Sequence, residues 1–183
     1  LTLADIDILA VAAGPGSFTG IRIGVSAVKG MAFERNIPVY GVSALEALAC
    51  GVRRKNCVIC PVMDARCSQV YTALFLFDGE KTVRLCEDEP LKLDELKEKL
   101  AKFSQPIVFV GDGIGVAKKY FGDGDGMEYF SALFAFQHGS SVASAAYMMY
   151  NSGVKPIDGD SLFPRYLRLS QAERERKTRE NEK

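Results

Sequence analysis

Histidine is almost absent from this chain, with His138 the single one in 183 residues. Metallohydrolases and most acid–base enzymes lean on imidazole, commonly in pairs, so no H-E-x-x-H or H-x-x-x-H site can be built. His138 stands before Gly139 and reads as a polar residue at a helix start. A nucleophile elbow of the form G-x-S-x-G is missing too, because in GSFTG the serine sits directly beside the first glycine. Net charge is missing as well: 23 basic side chains balance 23 acidic ones. Autonomous binding to RNA or DNA normally needs a basic face for phosphates, so that class is disfavoured. No apolar run is long enough to cross a bilayer, DILAVAA and YTALFLF being strand-sized. With no charged-then-apolar leader either, the expected location is the cytoplasm. The chain opens at Leu1, just ahead of a core strand, and reads as a fragment lacking its true N-terminus.

The five cysteines, Cys50, Cys57, Cys60, Cys67 and Cys86, make an odd count that fits reduced thiols. Cys57 and Cys60 form a C-x-x-C. In a buried strand, however, positions i and i+3 point to opposite faces, and no second pair completes a zinc site. They read as small buried hydrophobes. FGDGDG (121–126) suggests calcium by composition but lacks the twelve-residue loop pattern with its terminal glutamate.

What is present is a strand–helix alternation. DIDILAVAA (5–13) is a buried strand ending in a Gly-Pro-Gly turn, and a helix follows over 19–34 with Ser17 or Thr19 as N-cap. IPVYGV (37–42) is a second strand, and Ser43 caps a second helix, SALEALACGVRR. This order predicts a mainly parallel sheet with crossover helices. From Cys57 the texture changes to a meander: CVICPVMDA, then SQVYTALFLFD as one strand, a DGEK turn and TVRLC. LKLDELKEKLAKF is then an amphipathic helix with Leu91, Leu93, Leu96, Leu100 and Phe103 on its buried side. IVFVGDG is another buried strand, GVAKKYF a short helix, and a last helix runs near 140–150. The expected organisation is a remainder of a first lobe (1–53), a second lobe (54–170) whose last helix returns to the first, and a charged tail (171–183).

Gly14, Gly16, Ser17, Thr19 and Gly20 could cradle a phosphate, since free N–H groups and a helix dipole favour an anion. Neither phosphate signature fits. The P-loop needs Gly-Lys-Ser/Thr where Gly20 is followed by Ile-Arg, and GPGSFTG sets its last glycine one residue too far for a dinucleotide fingerprint. Glycines also serve tight turns without any ligand. The helix that follows has one polar stripe, Arg22, Ser26 and Lys29; the rest is apolar or small. Its apolar arc is about twice the roughly 100° that one sheet face requires. Such a helix is covered from two directions, either within its own domain or by another subunit.

DIDILAVAAGPGSFTGIRIGVSAVKGMAFERNIPVYGVSALEALA resembles the signature region of the TsaB (YeaZ-type) family, and VMDARCSQVY and PRYLRLSQAER resemble its two later landmarks in the right order. The resemblance runs from Asp5 to Arg174. It implies the two-lobed α/β fold of actin, Hsp70 and sugar kinases, with ribonuclease-H-like lobes and the first lobe incomplete. It implies a non-catalytic subunit of the machinery that makes threonylcarbamoyladenosine on ANN-decoding tRNAs. The partners would be a TsaD-type catalytic subunit and, through it, a TsaE-type ATPase, with a homodimer when the partner is absent, tRNA contacted indirectly and no membrane. Where the catalytic relative carries its H-x-x-x-H metal site, this chain has Ser43, Ala44, Leu45, Glu46 and Ala47. No catalytic residue, metal site or cofactor is therefore expected, apart from a nucleotide at the subunit interface. The resemblance places the interface on the helix after the glycine turn, here Gly20, Arg22, Ile23, Gly24, Ala27, Val28 and Met31. Asp64, Arg66, Tyr71 and Arg168, with Arg165, are candidate partner contacts, or else salt-bridge residues. Two further classes remain open: a nucleotide-hydrolysing enzyme using the glycine turn for phosphate and Asp64 for a metal, and a regulatory homodimer.

Overall fold

The computed structural model describes residues 2–66, 68–124, 126–130 and 135–168. The charged tail and Asp125 of the FGDGDG loop lie outside them. Two sheets organise the chain. The first pairs β1 (Leu9–Gly14) with β2 (Val39–Ser43) in parallel, Leu9 opposite Val39 and Ala12 opposite Val42. The helix between them, α1 (Phe18–Phe33), is the right length for a crossover. Its N-cap is Ser17, whose Oγ accepts from Gly20 N at 3.4 Å.

α2 (Ala44–Cys50) follows at once, capped by Ser43 Oγ accepting from Glu46 N at 3.1 Å. It ends seven residues in, at Gly51, short of the expected Arg54. It is buried on two sides. Ala47 and Cys50 pack with Tyr40 and Val42 of the first sheet. Leu45, Leu48 and Ala49 pack with Ile59 and Phe75 of the second.

The second sheet is built on β3 (Val58–Asp64), its return β4 (Gln69–Thr72) and β5 (Phe75–Phe77), with β6 (Thr82–Arg84) antiparallel to β5 and β7 (Glu89–Lys92) antiparallel to β4. The expected single strand SQVYTALFLFD is thus interrupted at Ala73-Leu74. The register continues across the gap, from Val62 opposite Thr72 to Ile59 opposite Phe75, which sets Pro61 near Ala73. Pro61 has no N–H to give the ladder, which accounts for the break. On the other edge β8 (Ile107–Val110) runs parallel to β3, and β9 (Met127–Tyr129) parallel to β8. β9 escaped the sequence reading, being three residues beside a glycine-rich loop.

α3 (Leu93–Leu100) starts two residues later than expected, because Leu91 belongs to β7; both ends of that reading still bury the same leucines. α4 is Ile114–Phe121. α5 (Gly139–Asn151) turns back to the first sheet, with Val142, Ala145 and Ala146 packed on Tyr40 and Val42. His138 is its N-cap residue, its N–H donating to Ser141 Oγ at 3.1 Å.

Cys57 and Cys60 fall on opposite sides of the sheet. Cys57 packs with Ile59 and Phe75, Cys60 with Val58, Val62 and Phe109. Both are free thiols. The strand geometry expected from their spacing holds.

Candidate subunit interface

α1 meets its own sheet along one narrow face. Ile21, Val25 and Ala32 are buried and pack with Val39, Ile37 and Leu162. Burying an aliphatic side chain of this size stabilises by about 1.5–3 kcal/mol, so this face anchors the helix. Val28 is half-buried against the same cluster, and a Cβ on Gly24 would stand 3.5 Å from Val11. These two residues thus face the helix's own sheet.

A second flank is occupied by residues 157–168, which run along the polar stripe as a strap. Ile157 exchanges two backbone hydrogen bonds with Val39, at 2.8 and 3.0 Å. Leu162 is fully buried in the α1 cluster. Lys29 Nζ donates to the carbonyls of Asp160 and Leu162 at 3.1 and 3.4 Å and lies 4.9 Å from the Phe163 ring centre. Arg22 Nε donates to Tyr166 Oη at 2.7 Å, and the Tyr166 ring stacks on Phe18 at 4.4 Å. The isolated cations of the polar stripe are therefore strap anchors. Arg22, expected at the interface, is exposed and is held by Tyr166 on this flank.

What remains of the helix surface is uncovered among the described residues. Ile23 is 66% exposed, Met31 45% and Phe33 77%. Gly20, Ala27 and Gly30 are exposed between them. At 3.6 residues per turn, positions 20, 23, 27, 30 and 31 form one stripe turned away from the core. Ile23 and Met31 are its large side chains, and the small residues Gly20, Ala27 and Gly30 leave room for a close helix crossing.

Other parts of the chain pack against the glycine turn. Gly14 has φ +130°, and a Cβ there would lie 2.3 Å from the Arg165 carbonyl oxygen. Arg165 N–H in turn donates to Ala13 O at 2.7 Å. Gly16 faces Ile21 and Met63. Ser17 caps the helix, and Thr19 is exposed on its first turn. Gly14 is thus required by the strap, while Gly16 makes ordinary packing contacts.

The candidate contacts of the second lobe separate into two groups. Asp64 and Arg66 come together in the β3–β4 turn, Arg66 N–H donating to Asp64 Oδ1 at 2.7 Å. Arg168 hydrogen-bonds the Ala65 carbonyl, so the strap ends on this turn. Tyr71 pairs opposite Met63 and packs beside it, on the other face of the sheet from Asp64. Sequence reading missed Asp112, at the end of β8, whose Oδ1 accepts from Asp64 N at 3.2 Å. Partial burial pushes the Asp112 carboxyl above its ordinary range, and the Asp64 charge adds to this against opposing hydrogen bonds. An acidic residue at the mouth of two adjacent parallel strands was the available signal.

At the place where the resemblance sets a metal site, Ser43 spends its hydroxyl on the α2 cap and Ala47 lies in the core. Glu46 pairs with Arg84 at 2.8 Å. No group of three or more histidine, cysteine or acidic residues that could hold a metal occurs among the described residues. No helix among them is long and apolar enough to cross a membrane.

Residues 1–175 match the family model described as TsaD: tRNA N6-adenosine threonylcarbamoyltransferase. The chain is 34% identical to the tRNA threonylcarbamoyladenosine biosynthesis protein TsaB of Bacillus subtilis, over 92% of its own length and 72% of that protein. It is 37% identical to the Escherichia coli protein of the same name, over 61% of its length and 50% of that protein. Two solved Pseudomonas aeruginosa structures are similar, one described as an uncharacterized protein with similarity to peptidase YEAZ and one as YeaZ. They superimpose with TM-scores of 0.78 and 0.74 at 24% identity, over 92% and 91% of this chain and 76% and 77% of theirs. That likeness shows the two-lobed α/β fold. Together with the sequence match across nearly the whole chain, it places this protein in the TsaB (YeaZ-type) family, within the span of the broader TsaD family model.

Proposed function

We propose that this chain is a non-catalytic assembly subunit in the formation of threonylcarbamoyladenosine on tRNA, and that it holds a TsaD-type catalytic subunit through the outer stripe of α1. The observation that carries this reading is the uncovered row Gly20, Ile23, Ala27, Gly30 and Met31. It is apolar along its whole length, on a helix whose other two flanks are already occupied. A monomer has no use for such a face, whereas burying it between subunits removes the cost of exposing it.

The catalytic role falls to the partner. At the positions of the relative's metal ligands this chain offers a capping hydroxyl and a methyl group. A TsaE-type ATPase and tRNA would then be reached through the partner, in the cytoplasm, and a second copy of this chain would cover α1 when the partner is absent.

The test is co-purification with the TsaD-type subunit of the same organism. Ala27→Glu places a charge in the centre of the stripe, on an exposed position, and should abolish the complex without unfolding the chain. Gly24 is less suitable, because a side chain there also presses on Val11. If the Ala27 and Ile23→Lys variants bind the partner as the wild type does, the interface lies elsewhere.

A further inference from the structure

A pocket of about 350 Å³ opens at the amino ends of β2 and β3, the far end of both sheets from the glycine turn and the β3–β4 turn. Its volume is within the range of small-molecule sites, roughly 300–1,000 Å³. Three pieces of chain meet there: the end of α2 with Arg53 just beyond it, the turn into β6, and the second half of α5. α5 packs on the Tyr40 face of the first sheet and α1 on the Val39 face, so the pocket and the α1 stripe are on opposite sides.

The two buried residues of the pocket wall are Thr82 and Cys50. Thr82 is 9% exposed, and its Oγ1 is enclosed with no hydrogen-bond partner among the described residues. Buried polar atoms are nearly always paired. The neighbouring Cys50 thiol, a weak donor, does not come into hydrogen-bonding geometry with it. Valine has nearly the same shape as threonine, so packing alone does not call for the hydroxyl.

At the mouth stand Arg53 and Lys81, both exposed and neither in an ion pair among the described residues. Glu80 is the third charged group of the lining, which leaves an excess of one positive charge. Asp78 Oδ1 accepts the N–H groups of Glu80 and Lys81, both at 2.8 Å, and so fixes the turn that carries them. Arg53 is held too: Nη1 donates to the Glu80 carbonyl at 3.5 Å, and the guanidinium lies 5.3 Å from the Phe77 ring centre. Its remaining N–H groups are those that match a carboxylate. The α5 wall adds Tyr147, 66% exposed, and the thioether of Met148. A phenol ring and a thioether both favour an aromatic ring as neighbour.

We infer that this pocket binds a small aromatic carboxylate with a hydrogen-bonding group at its other end. Arg53 and Lys81 hold the carboxylate, Tyr147 and Met148 flank the ring, and Thr82 Oγ1 pairs with the far polar group. The site lies away from α1, so it stands or falls independently of the subunit reading.

The experiment is an NMR titration of the purified chain, followed at the Met148 methyl group, with three probes: 4-hydroxyphenylacetate, phenylacetate and 4-hydroxyphenylacetamide. The first should shift that methyl saturably. Phenylacetate, without the hydroxyl, should bind roughly fivefold more weakly, and the uncharged amide about tenfold more weakly, the worth of a neutral and of a charge-assisted hydrogen bond. Thr82→Val should bind phenylacetate as the wild type does and lose the preference for the hydroxylated probe. Arg53→Gln, at an exposed position, should lose the preference for carboxylate over amide, while Lys102→Gln, outside the pocket, should match the wild type. Each variant is thus paired with one group of the probe, a specificity that a merely structural role would not produce. The inference is overturned if 4-hydroxyphenylacetate does not saturate or leaves the Met148 methyl unmoved. It is overturned equally if Thr82→Val keeps the hydroxyl preference, or if Arg53→Gln behaves as Lys102→Gln does.

Discussion

The carbonyl oxygen of Arg165 occupies the space where a side chain on Gly14 would begin, 2.3 Å from the notional Cβ. The turn between β1 and α1 and the strap from the far end of the chain are therefore shaped to each other.

Gly14→Ala should destabilise the protein by about 3 kcal/mol, since it combines a positive φ with a backbone clash. Gly20→Ala, on the exposed helix surface, should be neutral or stabilise by up to roughly 1 kcal/mol. Urea unfolding of the two variants checks this. A Gly14→Ala protein as stable as the wild type would mean that the turn's glycine serves something other than the strap.

Burial pushes the Cys60 thiol up to about 12 and the Cys50 thiol up to about 11, where the neighbouring Glu46 charge adds to the effect. Neither forms an appreciable thiolate near neutral pH, and both side chains are enclosed. Iodoacetamide mapping by mass spectrometry should find both unmodified in the folded protein and fully modified in denaturant. Rapid labelling of Cys60 in the native state would contradict the packing of β3.

Asp112 gives a pH prediction with a definite sign. Its folded-state pKa is raised above the ordinary 3.8, so the ionised form opposes folding. That cost is complete above the raised value and absent below 3.8. Asp112→Asn keeps an oxygen to accept the Asp64 N–H and removes the charge. It should be at least as stable as the wild type at neutral pH, with the difference vanishing as the pH falls through that window. Thermal unfolding across the range tests it; a variant less stable at every pH would contradict it.

The helices and main strands were legible because their apolar periodicity follows directly from burial on one or two faces. Ser17 and Ser43 announced helix starts by their chemistry. The break at Ala73-Leu74 was not legible, since it depends on Pro61 in the neighbouring strand. Nor was the strap: PRYLR has no strong pattern of its own, and its partners Arg22 and Lys29 lie more than a hundred residues away. For the same reason the hydrogen bond from Arg22 to Tyr166, 144 residues away, was not legible. Asp112 went unnoticed because its proximity to Asp64 arises from the parallel pairing of β3 and β8. The excess apolar arc of α1 was visible at once. Which part of it stays open depends on where the strap lies.

The most direct test of the subunit reading is light scattering on size-exclusion fractions of the chain, alone and mixed with the TsaD-type subunit of its organism, for wild type and Ala27→Glu. The account predicts a stable mixed complex with wild type and none with the variant, while the variant alone still unfolds in a single cooperative transition, so that what is lost is the contact and not the fold. A mixed complex that forms equally well with Ala27→Glu would contradict it.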